Sequence, residues 1–163
     1  MAKSLKQHKA VDADYLAADS SPPHVVQRLA VPPELVWAAL LDAKAWSQWL
    51  PIDEVVWTSP EPFGVGTTRT VTAAGQTIEE TFYAWEDGHR MAFRFEKTSL
   101  PISAGAEDYR VVEAHGGCEL RWWGKASGMP FGWLVGRQLK SGIASGAPKL
   151  ETLIKANPAR FGG

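Results

Sequence analysis

Three residues of this chain have types and placements suited to chemistry: Arg69, Glu80 and Tyr109. A guanidinium can hold a carboxylate, a carbonyl or a developing oxyanion, and a phenol can donate to the same groups. A carboxyl set among apolar side chains can keep or exchange a proton near neutrality, which makes it a candidate acid, base or ligand anchor. The stretch "TTRTVTAAGQTIEETFYAWEDGHRMAFRFE", residues 67–96, reads as three strands joined by two tight turns. Arg69 and Glu80 fall on its most apolar face.

The turns set the register. With Ala74-Gly75 as a two-residue turn, Arg69 lies opposite Glu80, Val71 opposite Ile78 and Thr67 opposite Phe82. Side chains alternate along a strand, so these share one face. The other face, with Thr68, Thr70, Thr72, Thr77, Glu79, Thr81 and Tyr83, reads as a solvated β surface. With Asp87-Gly88 as the next turn, Met91 meets Ala84, Phe93 meets Phe82 and Phe95 meets Glu80, and the apolar faces coincide. Arg90 is then expected opposite Trp85 in a surface cation-π contact. A third hairpin around "HGGC" puts Tyr109 and Val111 on the same face as Leu120 and Trp122. If Gly116-Gly117 is its turn, Asp108 opposes Lys125 and Arg110 opposes Trp123. The expected inner wall is Val71, Ile78, Phe82, Met91, Phe93, Phe95, Tyr109, Val111, Leu120 and Trp122, with Arg69 and Glu80 among them.

Two explanations of the charged pair stay open. At a wet sheet margin it is a cross-strand ion pair worth under about 1 kcal/mol. Inside a cavity, either charge alone would be costly, and a polar ligand group could join the two.

The elements that must position these residues follow from periodicity. "HVVQRLAV" at 24–31 is a strand, "PPELVWAALLD" a short helix opened by prolines, and "AKAWSQWLP" a second short helix stopped by Pro51. Strands are expected at about 52–58, 66–73, 76–86, 89–97, 105–114 and 118–126, followed by a helix over about 131–156. In that helix Val135, Leu139, Ile143, Leu150 and Ile154 form one stripe, and Leu139 and Ile143 are expected to face a ligand. Gly142, Gly146 and Ala147 thin its middle, either for close packing on the sheet or to leave ligand volume. Pro148 is expected to kink or interrupt it. The order predicts an α+β fold with one curved antiparallel sheet and a space under the long helix, a common place for a small molecule.

Composition narrows the function classes. At 163 residues and 45% hydrophobic, the chain fits one domain with a real core. A formal net charge of −1 supplies no basic field for nucleic acid. Cys118 is the only cysteine, so no internal disulfide or cysteine-rich zinc site is expected, and a reducing cytoplasm fits. No apolar run reaches the roughly 20 residues that span a bilayer, so stable membrane insertion is not expected. Residues 1–23 read as a mobile tail, with a weak helix around Val11–Ala18 as the alternative. Residues 24–156 read as the domain and 157–163 as a tail. His8, His24, His89 and His115 lack a metal spacing and read as structural or solvent residues; neither a metal nor a cofactor is implied. No hydrolase triad or dinucleotide fingerprint is visible. Of the eight tryptophans, Trp122 alone is placed to face a ligand.

Together "VPPELVWAALLDAKAWSQWLP", "FGVGTTRTV", "IEETFYAWEDGHRMAFRF", "EDYRVVEAHGGCELRW" and the terminal helix resemble the START-related superfamily (SRPBCC) over about residues 24–156. That resemblance implies a helix-grip fold: a seven-stranded curved antiparallel sheet wrapped around a long C-terminal helix, with two short helices after the first strand and a hydrophobic cavity between. The superfamily includes polyketide cyclases/dehydrases, lipid carriers and abscisic acid receptors. "GTTRTV" and "IEETF" resemble the receptor strands whose glutamate lies in the pocket, which implies a pocket role for Glu80, and Tyr109 similarly matches a pocket tyrosine. The receptors' gate loop is replaced here by Ala74-Gly75, and their hormone-holding lysine has no counterpart around Trp49–Ile52, so hormone reception is not implied.

Three functions compete. The first is a binding or transport module for a hydrophobic small molecule, such as a lipid, polyketide or aromatic compound, oriented by Arg69, Glu80 and Tyr109. In the second, a cyclase/dehydrase-type enzyme, Glu80 moves a proton beside a carbonyl while Arg69 or Tyr109 stabilises the oxyanion. The third is an interaction module using exposed Trp85 and Trp123. A monomer or weak dimer is compatible with each.

Overall fold

The computed structural model describes residues 3–162; residues 1, 2 and 163 of the expected tails lie outside the described residues. In chain order the elements are β1 (Lys6–Gln7), α1 (Ala13–Leu16), a 3₁₀ turn at Ala18–Ser20, β2 (Val25–Leu29), α2 (Pro33–Leu41), α3 (Trp46–Trp49) and β3 (Glu54–Trp57). They continue with β4 (Thr68–Ala73), β5 (Gln76–Glu86), β6 (Arg90–Thr98), β7 (Ala104–Ala114), β8 (Gly117–Ser127), α4 (Gly132–Ala156) and a 3₁₀ turn at Pro158–Phe161.

Seven antiparallel strands run in the order β2-β8-β7-β6-β5-β4-β3, with α4 packed against β8 and β2. This is the α+β helix-grip layout. An eighth strand, β1, pairs with Lys97 and Thr98 of β6, beyond the last β7 partner at Arg94. The first hairpin has the expected register, Arg69 opposite Glu80 and Val71 opposite Ile78. Its turn works because Ala74 and Gly75 both take positive φ, 51° and 76°, which suits the twist of a two-residue hairpin.

The second hairpin departs from expectation. Phe82 meets Phe93 and Glu80 meets Phe95, but a bulge between Phe82 and Ala84 moves Trp85 opposite Met91 and Glu86 opposite Arg90. The extra residue reverses which face the following side chains take. Trp85 therefore packs with Trp37, Trp57 and Phe82, and Arg90 pairs with Asp108 at 2.9 Å instead of stacking on Trp85. In the third hairpin the turn is His115-Gly116, so Asp108 opposes Trp123 and Arg110 opposes Arg121. Parity survives: Tyr109 pairs with Trp122 and Val111 with Leu120.

The segment expected as a mobile tail is structured. Leu16 and Ala18 pack on Ala106 and Trp123, Trp123 donates to the Ser21 carbonyl at 3.0 Å, and His8 meets Thr98 Oγ1 at 2.5 Å in a buried contact. Apolar residues spaced among charges suffice to cover this part of the outer sheet, so Trp123 is not an exposed docking residue. At the other end Phe161 is buried and Arg160 pairs with Asp42, so the expected terminal tail is also tied down. Helix α4 runs through Pro148 without interruption. The two explanations of its small residues divide by position. A Cβ on Gly146 would overlap the Trp49 carbonyl, a packing requirement, whereas one on Gly142 would make only an ordinary contact with Pro51 at 3.9 Å.

Gly124 serves a neighbour on its own strand: an added Cβ would collide with the Trp122 indole ring. Gly124→Ala is expected to destabilise the fold by about 1–3 kcal/mol through overpacking. Gly64→Ala, where nothing lies within 4 Å of the new methyl, should stay within about 0.5 kcal/mol. Urea unfolding of both variants checks this, and equal losses would show that ring packing is not the cause.

Candidate functional site

Strand alternation brings Arg69 and Val71 of β4 to the same inner wall as Ile78 and Glu80 of β5. Arg69 Nε donates to Glu80 Oε2 at 2.5 Å, and the two side chains are only 2% and 3% exposed. The pair is therefore enclosed, and the wet-margin explanation falls. Aromatic rings surround the guanidinium carbon: Trp46 at 4.4 Å, Phe93 at 4.6 Å, Phe82 at 5.3 Å and Trp57 at 5.4 Å. Ring faces attract a desolvated cation and partly replace its lost hydration. Arg69 Nη1 is nonetheless buried without a hydrogen-bond partner.

A second carboxylate, unnoticed in the sequence, completes the set. Glu107 is buried, and its Oε1 accepts from the Tyr109 hydroxyl at 2.9 Å and from Trp122 Nε1 at 3.0 Å. The signal was available: Glu107 stands two residues before Tyr109, hence on the same face of β7. Attention to apolar inner positions alone passed it over.

These groups line a cavity of about 260 Å³ between the sheet, the α3–β3 connection and α4. Of the residues expected to bind a ligand, Arg69, Val71, Ile78, Glu80, Tyr109, Leu139 and Ile143 line it. Phe82, Met91, Phe93, Phe95, Val111, Leu120 and Trp122 do not. All of them are core residues, at most 1% exposed: α2 packs on β7, β8 and α4 and fills the other end of the grip, and the Arg69 guanidinium lies over Phe82 and Phe93. Trp122, expected to face a ligand, instead holds Glu107, and Trp46 is the tryptophan on the cavity wall. A larger depression of about 490 Å³ lies outside, between α3 and α4, and shares Leu50, Pro51, Gln138 and Gly142 with the cavity. The cavity holds Arg69, Glu80, Glu107 and Tyr109, whereas the open groove has Lys149 as its one charged lining residue among the described residues. No cluster of metal-ligating residues occurs among the described residues.

Burial pushes the Glu80 carboxyl up to about 7; Arg69 opposes the rise and the Glu107 charge adds to it. Burial likewise raises Glu107, against the hydrogen bonds from Tyr109 and Trp122. Tyr109 is held well above its ordinary value by burial and then by Glu107, so it stays a neutral donor. The arrangement can offer a fixed cation with a spare N–H, a carboxyl able to change its proton near neutrality, and an apolar chamber.

Curved sheet, gripping helix and inner chamber define a protein of the helix-grip fold. A START superfamily protein from Mycobacterium smegmatis superposes with a TM-score of 0.64 at 12% identity, covering 81% of this chain and 95% of that one. DynU16, a protein in the dynemicin biosynthetic locus, superposes with a TM-score of 0.63 at 18% identity over 82% of this chain and 46% of that one. An uncharacterized Mycobacterium tuberculosis protein is 50% identical over 97 residues, 58% of each chain, so the match spans little more than half of that relative's length. The family model described as "Polyketide cyclase / dehydrase and lipid transport" matches residues 24–155, and the chain belongs to that family. Among the described residues no helix is long and apolar enough to cross a membrane.

The raised Glu80 carboxyl gives stability an unusual pH dependence. From its ordinary value of 4.5 up to about 7, the folded state holds this proton more tightly than the unfolded state does. Its contribution to stability is thus greatest below 4.5 and falls as pH rises through that window, by about 3 kcal/mol at most. Glu107 acts in the same direction. Relative to Glu80→Gln, which cannot titrate, the native protein is expected to lose stability steadily from pH 4.5 to 7 in urea unfolding. A difference that stays flat with pH would mean the carboxyl holds its proton no more tightly in the folded state than in the unfolded one.

Proposed function

We propose that this chain binds a small hydrophobic molecule in the inner cavity, with the molecule's polar end against Arg69, Glu80 and the Glu107–Tyr109 pair. The observation that carries this reading is the buried Arg69 guanidinium on the cavity wall, which makes its one side-chain hydrogen bond among the described residues through Nε, to Glu80. A buried N–H without an acceptor costs free energy, which a ligand oxygen would recover. Val71, Ile78, Leu139 and Ile143 supply the apolar contact, and residues 24–155 form the binding unit. The cavity lies just below the roughly 300–1,000 Å³ usual for ligand sites, so a compact ring system suits it better than a two-chain lipid. Within the family description, both a carrier and a polyketide cyclase/dehydrase are consistent with this placement.

A second reading, catalysis, draws on Glu80. A carboxyl at about 7 can take a proton from carbon beside a carbonyl and return it, with the Arg69 N–H stabilising the oxyanion. Tyr109 suits that last role less, since its hydroxyl already donates to Glu107.

Gly142 provides the test, because it borders the cavity and a Cβ there meets only Pro51, at an unstrained 3.9 Å. Protein purified from its own host is expected to carry a small molecule visible by native mass spectrometry. Gly142→Met is expected to lose at least nine-tenths of that occupancy while keeping its melting temperature within a few degrees. Native protein that carries no molecule, or a variant that retains full occupancy, would count against binding in this cavity. Full turnover by Glu80→Gln on an identified substrate would remove Glu80 as the base.

A further inference from the structure

The charges of the cavity restrict its ligand further. Arg69 is the sole cationic side chain lining the cavity among the described residues, and its Nε is committed to Glu80. Two carboxyl groups line the same chamber, Glu80 and Glu107. With both ionised, the polar floor carries one positive and two negative charges before any ligand arrives. An incoming carboxylate or phosphate would add a third negative charge in a low-dielectric space, where repulsion is strong and solvent screening weak. It could enter only with protons taken up by the glutamates.

A neutral oxygen meets no such obstacle. Arg69 lines the cavity and donates to Glu80 through Nε alone, which leaves guanidinium N–H groups that a carbonyl oxygen would satisfy. Glu80 accepts from Arg69 through Oε2, and Glu107 accepts from Tyr109 and Trp122 through Oε1, which leaves the other oxygen of each to accept from a ligand hydroxyl. Donor and acceptors thus stand side by side on one cavity floor. We infer that the cavity selects neutral ligands bearing a carbonyl next to a hydroxyl and rejects the corresponding free acids. This rests on the proposal that the cavity binds ligand, and it adds a charge criterion that fold and family do not supply.

A matched pair of probes isolates the criterion: 2-acetyl-1-naphthol and 1-hydroxy-2-naphthoic acid share ring and hydroxyl and differ in the ketone or carboxylate beside it. In calorimetric titrations of the full chain at pH 8, the ketone is expected to bind at least tenfold more tightly than the acid. Glu107→Gln keeps an acceptor for Tyr109 and Trp122 while removing a charge. The lost hydroxyl acceptor affects both probes alike, so the ratio of acid to ketone affinity should shift about tenfold toward the acid, which confirms that charge and not shape excludes the acid. Equal or tighter binding of the acid to the native protein overturns the inference, and so does a Glu107→Gln variant whose ratio of acid to ketone affinity is unchanged. Failure of the ketone to bind at all also overturns it. Whether the cavity binds any ligand is read separately, from co-purified molecules in the native protein and in Gly142→Met.

Discussion

The rest of the structure is arranged around the cost of holding the Arg69–Glu80 pair inside an apolar core. Removing two charges from water is expensive, and their attraction offsets that only with close geometry and further compensation. The 2.5 Å contact supplies the first, and four aromatic rings around the guanidinium supply part of the second. The compensation is incomplete, as the unpartnered Nη1 and the raised Glu80 carboxyl both record. Replacing such a pair with apolar side chains is often neutral or stabilising, so stability alone gives little reason to keep it. Its place on a cavity wall gives a reason of another kind.

Backbone details make that placement possible. The turn at Ala74-Gly75 fixes Arg69 against Glu80, and the bulge after Phe82 brings Trp85 inward to extend the aromatic packing. Gly105 and Gly124 leave room for the Phe95 and Trp122 rings to lie close over the sheet. Trp122 can then reach Glu107, which together with Tyr109 forms the second polar pair beside the first. The cavity exists because α2 fills one end of the grip while Gly142 leaves the other end thin.

The outer face has a separate logic. Asp108 is fully buried there between Arg90 and Arg110, and Arg110 also reaches Asp19 of the N-terminal segment. That segment covers Trp123 and Ala106, so an apolar patch that would otherwise face water becomes a small second core. The exposure of Trp85 and Trp123 that favoured an interaction module is therefore lost on both faces: one residue turns inward and the other is covered.

The amino-acid sequence by itself determined the element order from residue 24 onward, the inner face of the sheet except past the bulge after Phe82, and the meeting of Arg69 with Glu80. These depend on local rules: strand alternation, the preference of Ala-Gly and Asp-Gly for tight turns, and the spacing of apolar residues along the helix. Tertiary structure alone decided which inner residues border open space. Val71 and Phe82 read alike along a strand, yet one lines the cavity and the other packs in the core, because that depends on where α2 and α4 lie. It also decided the side-chain reach from Trp122 to Glu107 and the docking of the N-terminal segment. Contacts between segments far apart in the chain are set by packing volume and compensation of buried charge, which no short stretch of sequence carries.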